Sequence, residues 1–394
     1  MISQIPNKSS ESRYMQSISN IVIFHPAAIG DAVLATPVAS TLKYNFPGAK
    51  ISYWSHPSLR PLLLGLCPHI DEFIDFDKNL SFFQQRKILT SHKPDLFVDL
   101  SNSNRGLTMP LFTGIKTLRY EKKETGSPDQ QHAVGNFLDT VMPICKEVPD
   151  KLFPTIFPDA IAEQLVPQLV ETSKLEMRPM VGIVPGVGAH RPHRGWIADG
   201  WIYLIRHLLS IGSHQPVLIG GSDDFELAQK INAEVDNRCL NFCGQLKLDE
   251  TAAILKCCDA VVSGDTGPAH IAVSVGTPVI GLYGPTYPAR SGPYGYFNLV
   301  LDQSSSCQCI GAKYCTLTGS SSPGECMGRI MLPEVIENLS KILNLSNAQG
   351  SIHELNPPGV FFEPEILASL NADKQTEEQA KQNVETTGED EKIS

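Results

Sequence analysis

None of the apolar runs in this chain approaches the ~20 residues that a membrane-spanning helix needs, so no span is expected. Basic residues are in deficit, 32 Lys and Arg against 42 Asp and Glu, for a net charge of −10. Broad nucleic-acid binding requires a basic face that neutralises phosphates, so no nucleic-acid partner is expected. The opening residues, MISQIPNKSSESRYMQSISN, lack the basic-then-apolar layout of a secretory signal, which points to a cytoplasmic protein. Charged residues are sparse at 19%, whereas hydrophobic ones make up 42%, enough for real cores. The length is about two to three domains' worth. Ten cysteines are many for a cytosolic chain, but a chain this long does not need a disulfide framework to fold.

What is present is an alternation. NIVIFH, KISYWSH and DLFVDLS read as short buried strands. The stretches between them, such as PAAIGDAVLATPVASTLKYNFPG and FFQQRKILTSH, read as helices. The pattern lapses around 150–179 and then restarts. MVGIVPG, PVLIGG, AVVSG and PVIGLYG are strands, and GWIYLIRHLLSIG, DFELAQKINAEV and LDETAAILKCC are helices. Two successive βα arrays predict an α/β protein of two doubly wound, Rossmann-like domains. The expected divisions are a flexible 1–19, a first domain over 20–175, a second over 176–345, and a polar, disordered tail over 346–394.

The stretch GDTGPAHIAVSVGTPVIGLYGPT (264–286) is unusual for a strand-to-helix turn. A helix N-terminus carries unpaired N–H groups and partial positive charge, and so makes an anion site. Gly267 would let a ligand approach the backbone closely, and Pro268 suits the first helical turn. Thr266 can cap the helix or donate its hydroxyl, and His270 lies one turn in. A plain capped turn is the alternative reading.

The 239–295 segment CLNFCGQLKLDETAAILKCCDAVVSGDTGPAHIAVSVGTPVIGLYGPTYPARSGPYG resembles the C-terminal half of glycosyltransferase family 9, the lipopolysaccharide heptosyltransferases. IVIFHPAAIGDAVLATPVASTLKYNFPGAKISYWSHP resembles the family's start. PGVGAHRPHRGW and VLIGGSDDFELAQKI fall where it has donor-site segments. The resemblance runs over roughly 20–343. It implies a GT-B fold, with two Rossmann-like domains facing across a cleft. It also implies an inverting, metal-independent transfer that needs no cofactor beyond a nucleotide-diphosphate-sugar donor, ADP-heptose in the best-known members. The acceptor would be a glycan or glycolipid such as the lipopolysaccharide core, which adds the inner face of the cytoplasmic membrane as a site of peripheral contact.

By the same resemblance, Thr266 and Gly267 would hold the donor diphosphate with His270, and Asp265 would face sugar hydroxyls. Asp31, after Gly30 at the end of the first strand, is the candidate base, since inversion requires a group that takes the acceptor hydroxyl's proton. Capping the next helix is its other reading. Arg194 stands where the family has a lysine, keeping charge with a different geometry. Asp224 would reach the ribose, or cap a helix. Leu246 would line the base, or pack in the core. On the acceptor side, with Gly30, His25 takes a basic position, and Arg105 in the loop 101–114 would contact the acceptor, or be a solvated loop residue. The sequence departs from the family at Ala27, Ala28 and Ala189, where polar groups are usual. Cys307, Cys309, Cys315 and Cys326 are clustered, and zinc ligation and plain reduced thiols are the two readings. A sugar-nucleotide epimerase and a non-catalytic sugar-nucleotide binder are the competing functions.

Overall fold

β1 (Asn20–Phe24) occupies the centre of a five-stranded sheet, and every residue after Asn20 is buried. A strand covered on both faces has to be apolar throughout, as NIVIF is after its first residue. With β2 (Lys50–Ser55), β3 (Glu72–Asp75), β4 (Leu96–Asp99) and β5 (Lys116–Arg119), it forms the order β3-β2-β1-β4-β5, all parallel. The second sheet contains β6 (Met180–Val184), β7 (Gln215–Leu218), β8 (Leu240–Asn241), β9 (Cys258–Gly264), β10 (Val279–Tyr283) and β11 (Val300–Asp302). Its order is β11-β10-β9-β6-β7-β8, again parallel. Counted from its own first strand, that is the arrangement of a doubly wound nucleotide-binding sheet, and the first sheet is a five-stranded relative of it. The computed structural model describes residues 18–121, 130–149, 152–173, 178–188, 190–319 and 323–347.

The order reverses between β1 and β4, and again between β6 and β9. Chain leaving the two strands of each pair diverges, which opens a crevice at their C-terminal ends. Asp31, Arg194 and Asp265 come after β1, β6 and β9 respectively.

Several local expectations are refined. The helix expected after β1 is two helices, Ile29–Leu34 and Thr36–Asn45, joined at Ala35; Pro37 stands in the first turn of the second, where its missing N–H costs nothing. β5 and β11, KTLR and VLD, are short and not fully buried, so neither carries an apolar run. The flexible segment expected over 1–19 includes Ile18, which is buried, and Ser19, whose N–H donates to the Asp95 carboxylate at 2.8 Å. The rest of that segment lies outside the described residues, as do 174–177 near the expected domain boundary and 348–394 of the expected tail. The last described helix, Leu332–Asn347, passes the boundary expected at 345.

The domains share a buried seam. Val33, Leu62 and Leu66 of the first domain cluster with Met180, Val261 and Ile271 of the second, and Ile29 and Tyr294 touch both cores. Helix Ile29–Leu34 packs on helix Gly267–Ser274 through glycine. A Cβ on Gly30 would lie 2.6 Å from His270 Cδ2, and one on Gly267 would lie 3.1 Å from Ile29. The close approach at Gly267 is therefore between protein segments, and its φ is not positive.

Candidate active site

The seam opens into a pocket of about 570 Å³ at the C-terminal ends of both sheets. Its walls include Gly30 and Asp31 from the first domain, and Arg194, Asp265, Thr266, Gly267 and His270 from the second. Residues far apart in the chain thus face one space.

Asp31 is the third residue of its helix, which is capped at Ala28, so Asp31 is not the N-cap. Its carboxylate is 38% exposed and faces Arg290 of the other domain, with Asp31 Oδ1 3.8 Å from Arg290 Nη2. A partly solvated carboxylate at a cleft wall is suited to accepting a proton from a hydroxyl.

Opposite it, Thr266 is the N-cap of helix Gly267–Ser274 but makes no side-chain cap bond; its Oγ1 lies 2.9 Å from Ser263 Oγ. Pro268 stands at the start of the helix, as expected. The helix therefore presents its N-terminus to the pocket with no side-chain cap, the arrangement that favours an anion.

Asp265 organises the charges. Its Oδ2 accepts from Arg194 Nη1 at 2.8 Å, its Oδ1 accepts from Ser291 Oγ at 3.3 Å, and His270 Nε2 lies 3.8 Å from Oδ1. Burial acts to raise the Asp265 pKa, but His270 and Arg194 outweigh it and hold the carboxyl below its usual range. Most of the carboxylate is committed to protein partners, so it positions the cations as much as it offers oxygens to a sugar. The chain just beyond Arg194 is anchored as well: Trp196 is buried, and its Nε1 donates to Ile330 O at 3.2 Å. Arg194 Nε and His270 Nδ1 are buried with no hydrogen-bond partner among the described residues. Buried polar atoms are rarely left so, and here both belong to side chains that line the pocket.

The other expected residues lie elsewhere. His25 is buried in the first core, its Nδ1 2.9 Å from the Tyr53 hydroxyl and its ring packed on Phe137. Burial pulls its pKa down to about 4, so it is not the cationic acceptor contact that its position in the sequence suggested. Arg105 donates from Nη2 to Lys78 O at 3.0 Å. Asp224 accepts from the N–H groups of Gly221 (3.0 Å) and Gly188 (3.1 Å), which ties together the turns after β7 and β6. Leu246 packs at the edge of the shared core. None of these four lines the pocket. Ala28 does line it, and Ala189 lies outside the described residues.

The cysteine cluster resolves into pairs. Cys309 Sγ is 3.7 Å from Cys315 Sγ, and Cys307 neighbours Cys326, whose thiol is pushed up to about 12 by burial and by that neighbour. Among the described residues, no three His, Cys, Asp or Glu side chains come close enough to hold a metal ion. The loop between Cys309 and Cys315 instead brings Ile310 and Gly311 to the pocket. Arg290 and Ser291, both in the pocket wall, were missed from sequence; an arginine beside a Pro-rich turn after a strand was the available signal.

Known proteins share this architecture. The family model described as glycosyltransferase family 9 (heptosyltransferase) matches residues 117–316. Lipooligosaccharide heptosyltransferase 2 of Haemophilus influenzae is 27% identical over 299 residues, 70% of this chain and 86% of that protein. The structure of E. coli ADP-heptose LPS heptosyltransferase II superposes with a TM-score of 0.67 at 22% identity, covering 83% of this chain and 99% of the other. A family 9 glycosyltransferase from Veillonella parvula gives 0.69 at 21% identity, covering 83% and 97%. The shared fold is the GT-B-like pair of domains.

Proposed function

The chain belongs to glycosyltransferase family 9, and on that premise we propose that it moves heptose from ADP-heptose onto a lipopolysaccharide-core acceptor, with inversion at the anomeric carbon. One observation carries the reading: a carboxylate from the first domain, Asp31, faces an uncapped helix N-terminus and Arg194 from the second across one pocket. The acceptor hydroxyl attacks the anomeric carbon as the bond to the diphosphate breaks. Asp31 takes the hydroxyl proton, and ADP leaves with the bonding electrons. The charge that builds on the departing diphosphate is met by the helix N-terminus and Arg194, with His270 as a further hydrogen-bond donor. The helix N-terminus and Arg194 supply positive charge without a divalent metal, so no added cofactor is required in this scheme.

The acceptor side carries a further feature. Leu107, Leu111 and Phe112 lie in the segment after β4, at the sheet end that holds Asp31, and are 49%, 47% and 99% exposed. Such a tip suits contact with the cytoplasmic face of the membrane that carries a lipid-linked acceptor. Among the described residues no helix is long and apolar enough to cross a membrane.

The test is ADP release from ADP-heptose in the presence of a heptose-truncated lipopolysaccharide core, with the product checked by mass. Release of ADP with one heptose gained by the core is expected. No transfer from ADP-heptose, or transfer only from another nucleotide sugar, overturns the assignment of donor.

A further inference from the structure

Arg290 stands on the four-residue helix Pro288–Ser291 of the second domain, yet its guanidinium faces Asp31 of the first. The segment that carries it is held on both sides. Ser291 Oγ donates to Asp265, and the Tyr283 hydroxyl donates to Ser291 O at 2.7 Å. On the other side, the next carbonyl, Gly292 O, accepts from His132 Nε2 at 3.1 Å, and His132 belongs to the first domain. The Nδ1 of the same ring accepts from Val134 N–H at 3.2 Å, capping helix Ala133–Leu138. A ring nitrogen that accepts from an N–H cannot carry a proton, so the proton sits on Nε2 and the pin has one tautomer. The ring is also wedged against Tyr294 and Phe297, with centroids 4.9 and 5.5 Å away. Burial, reinforced by His270 and Arg290, pulls its pKa down to about 3, so it remains neutral at working pH.

We propose that Arg290 is a positioning residue for the base, holding the Asp31 carboxylate toward the acceptor hydroxyl from across the cleft, and that His132 sets its reach by pinning Gly292. The inference rests on the reading of Asp31 as the base. An aspartate on the first turn of a helix, 38% exposed, has several rotamers open to it, and only some point into the cleft. A cation fixed opposite selects among them. A base has to come within ~2.6–3.2 Å of the hydroxyl it serves, and a misplacement of ~1 Å can cost ~10²-fold. The cation arrives from the opposite domain, so the base is aligned only when the two domains are closed as they are here. The rival role for Arg290, direct binding of the donor diphosphate, predicts a different split between affinity and turnover.

Arg290→Met keeps length and apolar bulk but removes the charge. Turnover, read as ADP release under saturating donor and acceptor, should fall ~10- to 100-fold, while the Kd of ADP by calorimetry stays within about threefold. His132→Phe keeps the ring and removes both hydrogen bonds. It should lower kcat in the wild-type background but cost less than about twofold in Arg290→Met, where nothing is left to position. His132→Gln restores a donor toward Gly292 O and should recover most of the loss. A rise of about tenfold or more in ADP Kd with kcat retained in Arg290→Met would overturn the proposal in favour of a phosphate contact. Multiplying effects of His132→Phe and Arg290→Met would reduce His132 to a structural residue and overturn its part. If His132→Phe melts below the assay temperature, the kcat and Kd split in Arg290→Met decides alone. Wild-type turnover in Asp31→Asn would instead remove the base reading itself, a result that neither other outcome mimics.

Discussion

Gly30→Ala tests the domain seam sharply, because it adds one methyl group where the two helices meet through glycine. The new Cβ would lie 2.6 Å from His270 Cδ2 and 3.3 Å from Nε2, so the ring carbon is about 0.8 Å inside ordinary contact at 3.4 Å. The ring has little room to retreat. His270 is 4% exposed and has Asp265 Oδ1 3.8 Å from its Nε2. Either the ring turns and disturbs the Asp265 cluster, or helix Ile29–Leu34 backs away from helix Gly267–Ser274 and carries Asp31 with it. Overpacking of this kind costs about 1–3 kcal/mol. Alanine in place of a helical glycine returns roughly 0.5–1 kcal/mol. The net loss of stability should be about 0–2.5 kcal/mol, a shift of a few degrees in Tm. Catalysis should suffer more, because a sub-ångström shift between base and leaving-group cradle is felt at the reacting centre. A fall in kcat/KM of about 10²-fold, some 2.7 kcal/mol in the barrier, is expected. Melting curves and ADP-release kinetics on the same preparation separate the two effects. Wild-type turnover in a normally melting variant would show that catalysis does not depend on the spacing of these two helices.

Asp31→Asn keeps shape and loses basicity; transfer should fall about 10²–10⁴-fold with ADP affinity changed by no more than a few fold, measured by kinetics and calorimetry. Activity should survive EDTA, because the leaving group is met by Arg194 and a helix N-terminus; loss on chelation that Mg²⁺ or Mn²⁺ restores would refute that account of the charges. Arg194→Lys keeps the charge but cannot reproduce the planar, multi-donor guanidinium that bonds Asp265, so ADP affinity should drop by about tenfold in a titration. Stability should fall as pH drops below about 6.5. His25 and His132 are held neutral by burial, with pKa values of about 4 and about 3, whereas the unfolded chain protonates both near 6.5. The unfolded state then binds more protons, which costs about 2 kcal/mol per histidine at pH 5; denaturant melts at pH 7.5 and 5 check this, and His25→Phe should flatten its share of the slope.

Much of the fold was legible because buried parallel strands have to be apolar along their length, and NIVIF, MVGIV and VIGLY can form little else. The strands missed, KTLR and VLD, lie at sheet edges, where one side is free of that demand. The helix start that lines the pocket was also legible, since a turn of the Thr266-Gly267-Pro268 kind declares its unpaired N–H groups locally. Its partners were not. Sequence placed His25, Asp224, Arg105 and Leu246 at the site by position along the chain. The structure turns His25 into a core, ties Asp224 and Arg105 to backbone groups, and packs Leu246 beside other apolar residues. Whether a polar side chain faces a ligand or its own protein depends on which groups come within hydrogen-bond reach, and neighbours distant in sequence decide that. Asp31 was singled out from its strand end together with the family resemblance, but its position opposite Arg290 required two domains closed on a glycine seam. The sequence by itself determined two doubly wound sheets and the uncapped helix start at the pocket, because both arise from local burial and backbone chemistry. Which charges meet across the cleft was decided by tertiary structure alone, because charge pairing depends on distances between domains that no local pattern encodes.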